Sequence, residues 1–248
     1  MNPLHNYLLK LADDSLIMGQ RLSEWCGEGP YLEEDIALTN IALDELGQAN
    51  NFYVYASKLD GTKSEDDLAF LRYENEYLNA HWVELPNEDY AQTILKTYVF
   101  ATYQKLLYEA LSTSADEELS AIAQKSLKEV KYHYTHAKSW MNIFAQGTEE
   151  SKTRLLNALG NIWEYTKGLF AKVNGEDDLI ALNIAADPDE LYAQFLEITK
   201  ADFAEFGLEY PAGEFMQPKS RTGYHTEYFG YILCEMQYMQ RAYPGCTW

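Results

Sequence analysis

The stretch Asp44-Glu45-Leu46-Gly47-Gln48-Ala49 lies within a longer segment, residues 32–59, that decides the fold class. Apolar residues recur through this segment every three or four positions, which is the period of an amphipathic α-helix. They are Leu38, Ile41, Ala42, Leu46, Ala49, Phe52, Tyr53, Ala56 and Leu59. Residues three apart in a helix share one face, so Glu45 and Gln48 project from the same side of this predicted helix.

The pair Glu45 and Gln48 has the spacing of a di-iron Glu-x-x-His motif whose histidine has been lost. In carboxylate-bridged di-iron bundles, a Glu and a His three residues apart both reach a metal in the bundle core. The amide of Gln48 is a poor substitute for an imidazole, because it is a neutral oxygen donor with little basicity. The pattern therefore favours the bundle fold and predicts that part of the metal chemistry is missing.

The helical period covers almost the whole chain, and no alternating strand pattern stands out. Long helices are predicted over residues 4–26, 32–59, 88–113 and 115–146, and further ones over 65–81, 149–172, 187–205 and 223–243. Asp187-Pro188 is a good N-cap and N1 pair, and residues 207–222 predict a loop. Two antiparallel pairs with a longer connection between them are the layout of a ferritin-like four-helix bundle. We predict an all-α fold, one ferritin-like domain over residues 1–248, with additional C-terminal helices.

The composition excludes several classes of partner and compartment. With 19 basic and 39 acidic residues, a net charge of −20, the chain is poorly suited to nucleic acid or an anionic membrane, since both are bound by Lys and Arg clusters. The three widely spaced cysteines, Cys26, Cys234 and Cys246, indicate a reducing compartment without a disulfide framework or zinc site. No signal peptide and no membrane-spanning apolar run are found. We predict a cytoplasmic protein.

A di-iron bundle also needs a carboxylate on helix one and another on helix three. Helix one offers Asp13, Asp14 and Glu24. Asp13 and Asp14 are mid-helix and could face inward, or they could be solvated or inter-subunit acids. On helix three, residues 98–103 contain no carboxylate, and the first acid is Glu109.

Helix four should supply a second Glu-x-x-His motif. His133 is present, but the residue three positions earlier is Val130. Glu129 is one residue out of phase, about 100° around the helix. Glu129 and His133 could still bind a metal, with His136 as a second imidazole, or they could form an ion pair or hydrogen bond on a helix flank. One Glu and one His from six positions cannot hold two irons in a fixed geometry.

Several stretches spread over nearly the full length carry a family resemblance. They are residues 20–27, 40–49, 128–133, 225–227 and 235–241, followed by Pro244-Gly245 and Trp248. In these stretches the chain resembles the C-subunit family of phenylacetyl-CoA epoxidase, from the bacterial aerobic phenylacetate pathway. The resemblance implies a complex with a di-iron catalytic A subunit of the same fold, a small bridging B subunit and a reductase (E) that delivers electrons from NADPH. It implies that the complex epoxidises the ring of phenylacetyl-CoA with O2.

The same resemblance implies that this chain is the metal-free partner of the A subunit and has no catalytic residue and no cofactor of its own. Gln48 stands where the A subunit would place a His, and Val130 where it would place a Glu. Ala101 stands about where a helix-three carboxylate would be. The vestigial positions implied are Asp14, Glu45, Gln48, Ala101, Val130 and His133.

Three functions follow from these patterns. The leading one is a structural subunit that positions and stabilises a catalytic paralogue. The second is a di-iron carboxylate oxygenase that binds iron through Glu45, Glu129, His133 and an acid of helix one. The third is a ferritin-like module that binds CoA or an acyl-CoA, for which the nearest basic group is 219–221, Lys219-Ser220-Arg221.

A protein that pairs with a paralogue should expose an apolar face for it. Aromatic residues are candidates for this face, although each could equally belong to the core. The candidates are Trp25, Phe52, Tyr53, Tyr55 and Trp248.

Overall fold

A computed structural model describes residues 2–213 and 219–246, which contain α-helices and 3₁₀ segments and no strand. The α-helices are α1 (Pro3–Ser23), α2 (Leu32–Asp60), α3 (Glu65–Phe70), α4 (His81–Glu84), α5 (Tyr90–Leu111), α6 (Glu117–Gln146), α7 (Glu149–Ile162), α8 (Glu176–Ala181), α9 (Pro188–Phe206) and α10 (Glu227–Ala242). The all-α prediction is confirmed, and the architecture is consistent with a ferritin-like helical bundle. Trp248 lies outside the described residues.

The chain divides into two compact units. The first contains the described residues of Met1–Pro86, Val173–Glu176 and Pro218–Trp248, and the second those of Asn87–Lys172 and Asp177–Gln217. The first is built on the packing of α1 against α2, and the second on the packing of α5 against α6. A single domain over residues 1–248 stays a prediction.

In the first unit, α1 and α2 have well-defined ends. Asn2 caps α1 by accepting a hydrogen bond from the Leu4 N–H at 3.0 Å, and Pro3 occupies its first turn. α2 ends at Gly61, whose φ of 71° is the left-handed conformation that favours glycine. Between these ends, α1 is buried along almost its whole length, polar residues included.

The single helix predicted over residues 65–81 is wrong. α3 ends at Phe70, and a 3₁₀ turn at Glu74–Glu76 follows. The chain then runs extended through Tyr77 to Ala80 before α4 begins. The reason lies in α1, because its acids accept hydrogen bonds from the N–H groups of Leu78 and Ala80 and so replace the helical acceptors.

In the second unit, an aspartate is the N-cap of each of three helices: Asp89 precedes α5, Asp116 precedes α6 and Asp187 precedes α9. The predicted Asp187-Pro188 pair is confirmed, with Pro188 at the first helical position. The helix predicted over residues 149–172 is α-helical only as far as Ile162 and continues as a 3₁₀ segment, Trp163–Phe170.

Two further helices, α4 and α8, were not predicted, because segments of four and six residues are too short to show a helical period. Across residues 2–213 and 219–246, no helix is both long enough and apolar enough to cross a membrane.

Candidate functional site

Asp14, the helix-one candidate, is buried in the first unit and faces an arginine. Its Oδ2 accepts a hydrogen bond from Nη2 of Arg221 at 2.7 Å, and its Oδ1 accepts one from the N–H of Ala80 at 2.8 Å. The side chains of Asp14 and Arg221 are 4% and 0% exposed. Arg221 also donates to the Leu78 carbonyl at 3.3 Å. The carboxylate therefore joins α1 to the extended segment 77–80 and to the segment before α10.

Asp13, the residue before Asp14, is also held by an arginine and by a backbone N–H. Arg72 donates to both of its carboxylate oxygens, and the Tyr53 hydroxyl donates to Oδ1 at 2.5 Å. The N–H of Leu78 donates to Oδ2 at 2.7 Å. Arg72 also donates to the Glu76 carbonyl at 2.8 Å. Asp13 is thus neither solvated nor exposed at a surface, and both of its oxygens are engaged.

Burial governs the proton affinities in this cluster. It raises the pKa of the Asp14 carboxyl, although Arg221 opposes the rise. It also raises the pKa of Tyr53 well above its usual value, with Asp13 adding to the effect, and that of Tyr77 to about 12. Burial alone would lower the pKa of Arg72, but the adjacent Asp13 raises it. Arg72 therefore stays charged.

A third acid, Glu84 at the end of α4, is fully buried. Nδ1 of His225 lies 2.6 Å from its Oε1, and the N–H of Thr226 donates to Oε2 at 2.7 Å. Asn79 donates to Oε1 at 2.8 Å. The guanidinium of Arg21 donates to the backbone carbonyl of Glu84 at 2.6 and 3.0 Å. This cluster fixes the start of α10 against α4 inside the first unit.

On α2, Glu45 and Gln48 are each 1% exposed, and they lie on the same buried side of the helix. This placement agrees with their three-residue spacing. Of the two alternatives left open for the aromatic candidates, the structure selects the core for Phe52, Tyr53 and Tyr55, which are buried, and Trp25 is half-buried.

The remaining positions belong to the second unit. Ala101 of α5 and Val130 and His133 of α6 are all buried. Glu129 is half-buried and His136 is half-buried, whereas His133 is 1% exposed. Glu129 lies about 40° around the helix from His133 and about 100° from Val130, so it sits at the partly exposed edge of the buried side of α6.

The second unit has its own buried carboxylate, Asp202 of α9. Its Oδ2 accepts hydrogen bonds from the hydroxyls of Tyr98 at 2.8 Å and Tyr134 at 2.7 Å, and its Oδ1 lies 2.7 Å from Nζ of Lys138. Burial is the main cause that raises the pKa of Tyr98, and the negative charge of Asp202 raises it further. The polar groups of this cluster hold α5, α6 and α9 together.

The nearest basic group to a CoA-phosphate site in the sequence, Lys219-Ser220-Arg221, is not an exposed cluster. Arg221 is 2% and Ser220 is 3% exposed, and the Arg221 guanidinium is the partner of Asp14. Of the three residues only Lys219 reaches solvent, and its Nζ lies 3.9 Å from the centre of the Tyr224 ring.

Sequence reasoning missed Arg72 and Arg221, which complete the helix-one clusters. They lie 59 and 207 residues from Asp13 and Asp14, so no local spacing links them. The one available signal was two adjacent acids in the middle of an otherwise apolar helix, since buried acids require cationic partners. Across residues 2–213 and 219–246, no three His, Cys, Asp or Glu side chains form a group that could hold a metal ion.

Comparison with known proteins gives a consistent result over the full length. Residues 1–248 match the family described as "Phenylacetic acid catabolic protein". The C subunit of the 1,2-phenylacetyl-CoA epoxidase of Escherichia coli (strain K12) is 40% identical over 248 residues, which is 100% of both chains.

Proposed function

This chain belongs to the phenylacetic acid catabolic protein family, and on that premise we propose that it is a non-catalytic structural subunit of a multicomponent phenylacetyl-CoA epoxidase. It pairs in the cytoplasm with a di-iron catalytic paralogue, the A subunit, and stabilises it. A small bridging B subunit and an NADPH-dependent reductase complete the complex. The ring 1,2-epoxidation of phenylacetyl-CoA takes place in the paralogue.

The observation that carries this proposal is the pairing of the helix-one acids with arginines. A di-iron bundle uses a helix-one carboxylate as a metal ligand. Here Asp14 accepts hydrogen bonds from Arg221 and Ala80, and Asp13 from Arg72 and Tyr53. Each guanidinium supplies the positive charge beside the carboxylate that a metal would otherwise supply. These acids support a structural role.

The other positions of the ligand set support the same conclusion. Ala101 and Val130 carry no donor atom, and Gln48 offers only an amide. Of the six positions, Asp14, Glu45 and His133 keep groups typical of iron ligands, and the Asp14 carboxylate is paired with Arg221. The donor set therefore does not fit a pair of iron ions, which needs six protein ligands.

Iron binding and reconstituted activity test the proposal together. The purified chain is loaded anaerobically with Fe(II), freed of loose metal and analysed for iron. We expect well below one iron per chain. We also expect the A subunit with reductase, NADPH and phenylacetyl-CoA to form epoxide faster and to survive longer when this chain is present.

Two outcomes would overturn the proposal. About two irons per chain, lost in Glu45→Gln and His133→Gln variants, would make this chain a di-iron oxygenase. O2 consumption coupled to product by this chain and the reductase alone would do the same. The variant Lys131→Gln, at an exposed residue of α6, is the matched control and should leave iron content unchanged.

A further inference from the structure

The outward side of α2 carries large exposed apolar residues where a surface helix is normally polar. Leu32, Ile36 and Leu43 are 72%, 52% and 60% exposed, while Ile41 and Phe52 on the inward side are buried in the core. A helix that faces solvent on one side normally carries polar residues on that side. A helix that is apolar on both sides is normally covered by other residues on both sides. The outward side of α2 therefore has the composition of a surface that another molecule covers.

The spacing along this side is that of a helix-to-helix contact. Its residues follow one another at alternating intervals of four and three: Ile36, Asn40, Leu43, Gly47, Asn50 and Val54. An average interval of 3.5 residues is the repeat with which one helix packs along another. From Ile36 to Val54 the contact would be about 27 Å long, at 1.5 Å per residue. The shape that matches this side is an α-helix lying along α2.

Gly47, at the centre of this side, has no role inside the chain that requires glycine. It is exposed, and a Cβ atom placed on it would meet nothing within 4 Å. Glycine is the least favourable helix residue after proline. What glycine gives at this point is room for the backbone of a second helix to approach closely.

Charge indicates which molecule supplies that helix. The first turn of α2 contains Glu33, Glu34 and Asp35, and the chain carries a net charge of −20. A second copy of this chain would bring the same acids and the same net charge, and repulsion would oppose the contact. The complementary partner is a different protein, with Lys or Arg beside its apolar residues.

We propose that this side of α2, which we call the α2 seam (Leu32, Ile36, Leu43 and Gly47), docks a helix of the di-iron catalytic paralogue. The docking helix has apolar residues at 3.5-residue spacing and basic residues along its edge. This inference rests on the proposed function, because it takes the catalytic paralogue as the occupant.

Substitutions in the α2 seam separate docking from folding. Gly47→Leu replaces a poor helix former in open space, so the thermal midpoint of the isolated chain should stay the same or rise. The added side chain should nevertheless weaken binding to the purified A subunit about tenfold or more. Leu43→Glu should weaken binding similarly, because it places a charge in the apolar contact. Leu156→Glu on α7, at a residue that is 49% exposed, is the control and should bind as the wild type does.

The measurements are the dissociation constant for the A subunit and the mass of the isolated chain in solution. If the wild type binds and both seam variants bind equally well, the seam assignment is wrong while the proposed pairing stands. If the wild type does not bind the A subunit, the proposed function itself fails. A wild-type dimer that Gly47→Leu converts to a monomer would show that the seam joins two copies of this chain, which would overturn the assigned occupant.

Discussion

The buried pair of Asp14 and Arg221 offers the sharpest test of how the first unit is held together. Asp14→Asn keeps an oxygen for the N–H of Ala80 but removes the carboxylate that pairs with Arg221, whose side chain is 0% exposed. Breaking a buried pair from one side costs about 3–5 kcal/mol. That is a large share of the roughly 5–15 kcal/mol that stabilises a typical protein. We expect this loss in urea unfolding followed by circular dichroism.

The double variant Asp14→Asn with Arg221→Met makes the test specific. Replacing a buried ion pair as a whole is often nearly neutral, so the double variant should cost about 3 kcal/mol or less, well below the sum of the two single variants. Asp66→Asn, at an exposed acid of α3, is the matched control and should change stability by less than about 0.5 kcal/mol. Additive effects, or an Asp14→Asn cost below about 1 kcal/mol, would refute this account of the cluster.

Two further predictions concern Lys10 and two glycines. Burial lowers the pKa of Lys10 to about 8, so the free energy of unfolding should rise as pH increases from 8 towards 10.5, and the gain is lost as pH falls back through 8. Relative to Lys10→Met, the wild type should gain about 1–2 kcal/mol between pH 8 and pH 9.5 in urea unfolding, and identical pH dependence would contradict this. Gly223 has a φ of 78°, and a Cβ on it would strike a backbone carbonyl, whereas Gly61, with a φ of 71°, has open space around it. Gly223→Ala should therefore lower the free energy of unfolding by about 2–4 kcal/mol and Gly61→Ala by about 1, and equal losses would count against the predicted clash.

The sequence predicted the long helices because their stability comes from a periodic apolar face that any local window reveals. It also placed Glu45 and Gln48 correctly on one side of α2, since helical spacing alone determines that. The helix predicted over residues 65–81 was wrong because the backbone of residues 77–80 is held by acceptors on Asp13 and Asp14, which no local pattern contains. Arg72 and Arg221 were missed for a related reason, because they lie 59 and 207 residues along the chain from Asp13 and Asp14. Local pattern could not decide whether Phe52 faces a partner or the core, because α2 carries apolar residues on both sides.

The discontinuity of the first unit has a consequence for biosynthesis. Arg221 follows Asp14 by 207 residues, so at about 5–20 residues per second it is synthesised about 10–40 s later. During that interval the nascent α1 has an acid whose counter-ion does not yet exist, whereas most of the second unit comes from one continuous segment, Asn87–Lys172. A ribosome that stops before Arg221 therefore releases a chain whose Asp14 lacks its partner and whose first unit is incomplete. Such a product is a natural substrate for chaperones and proteases.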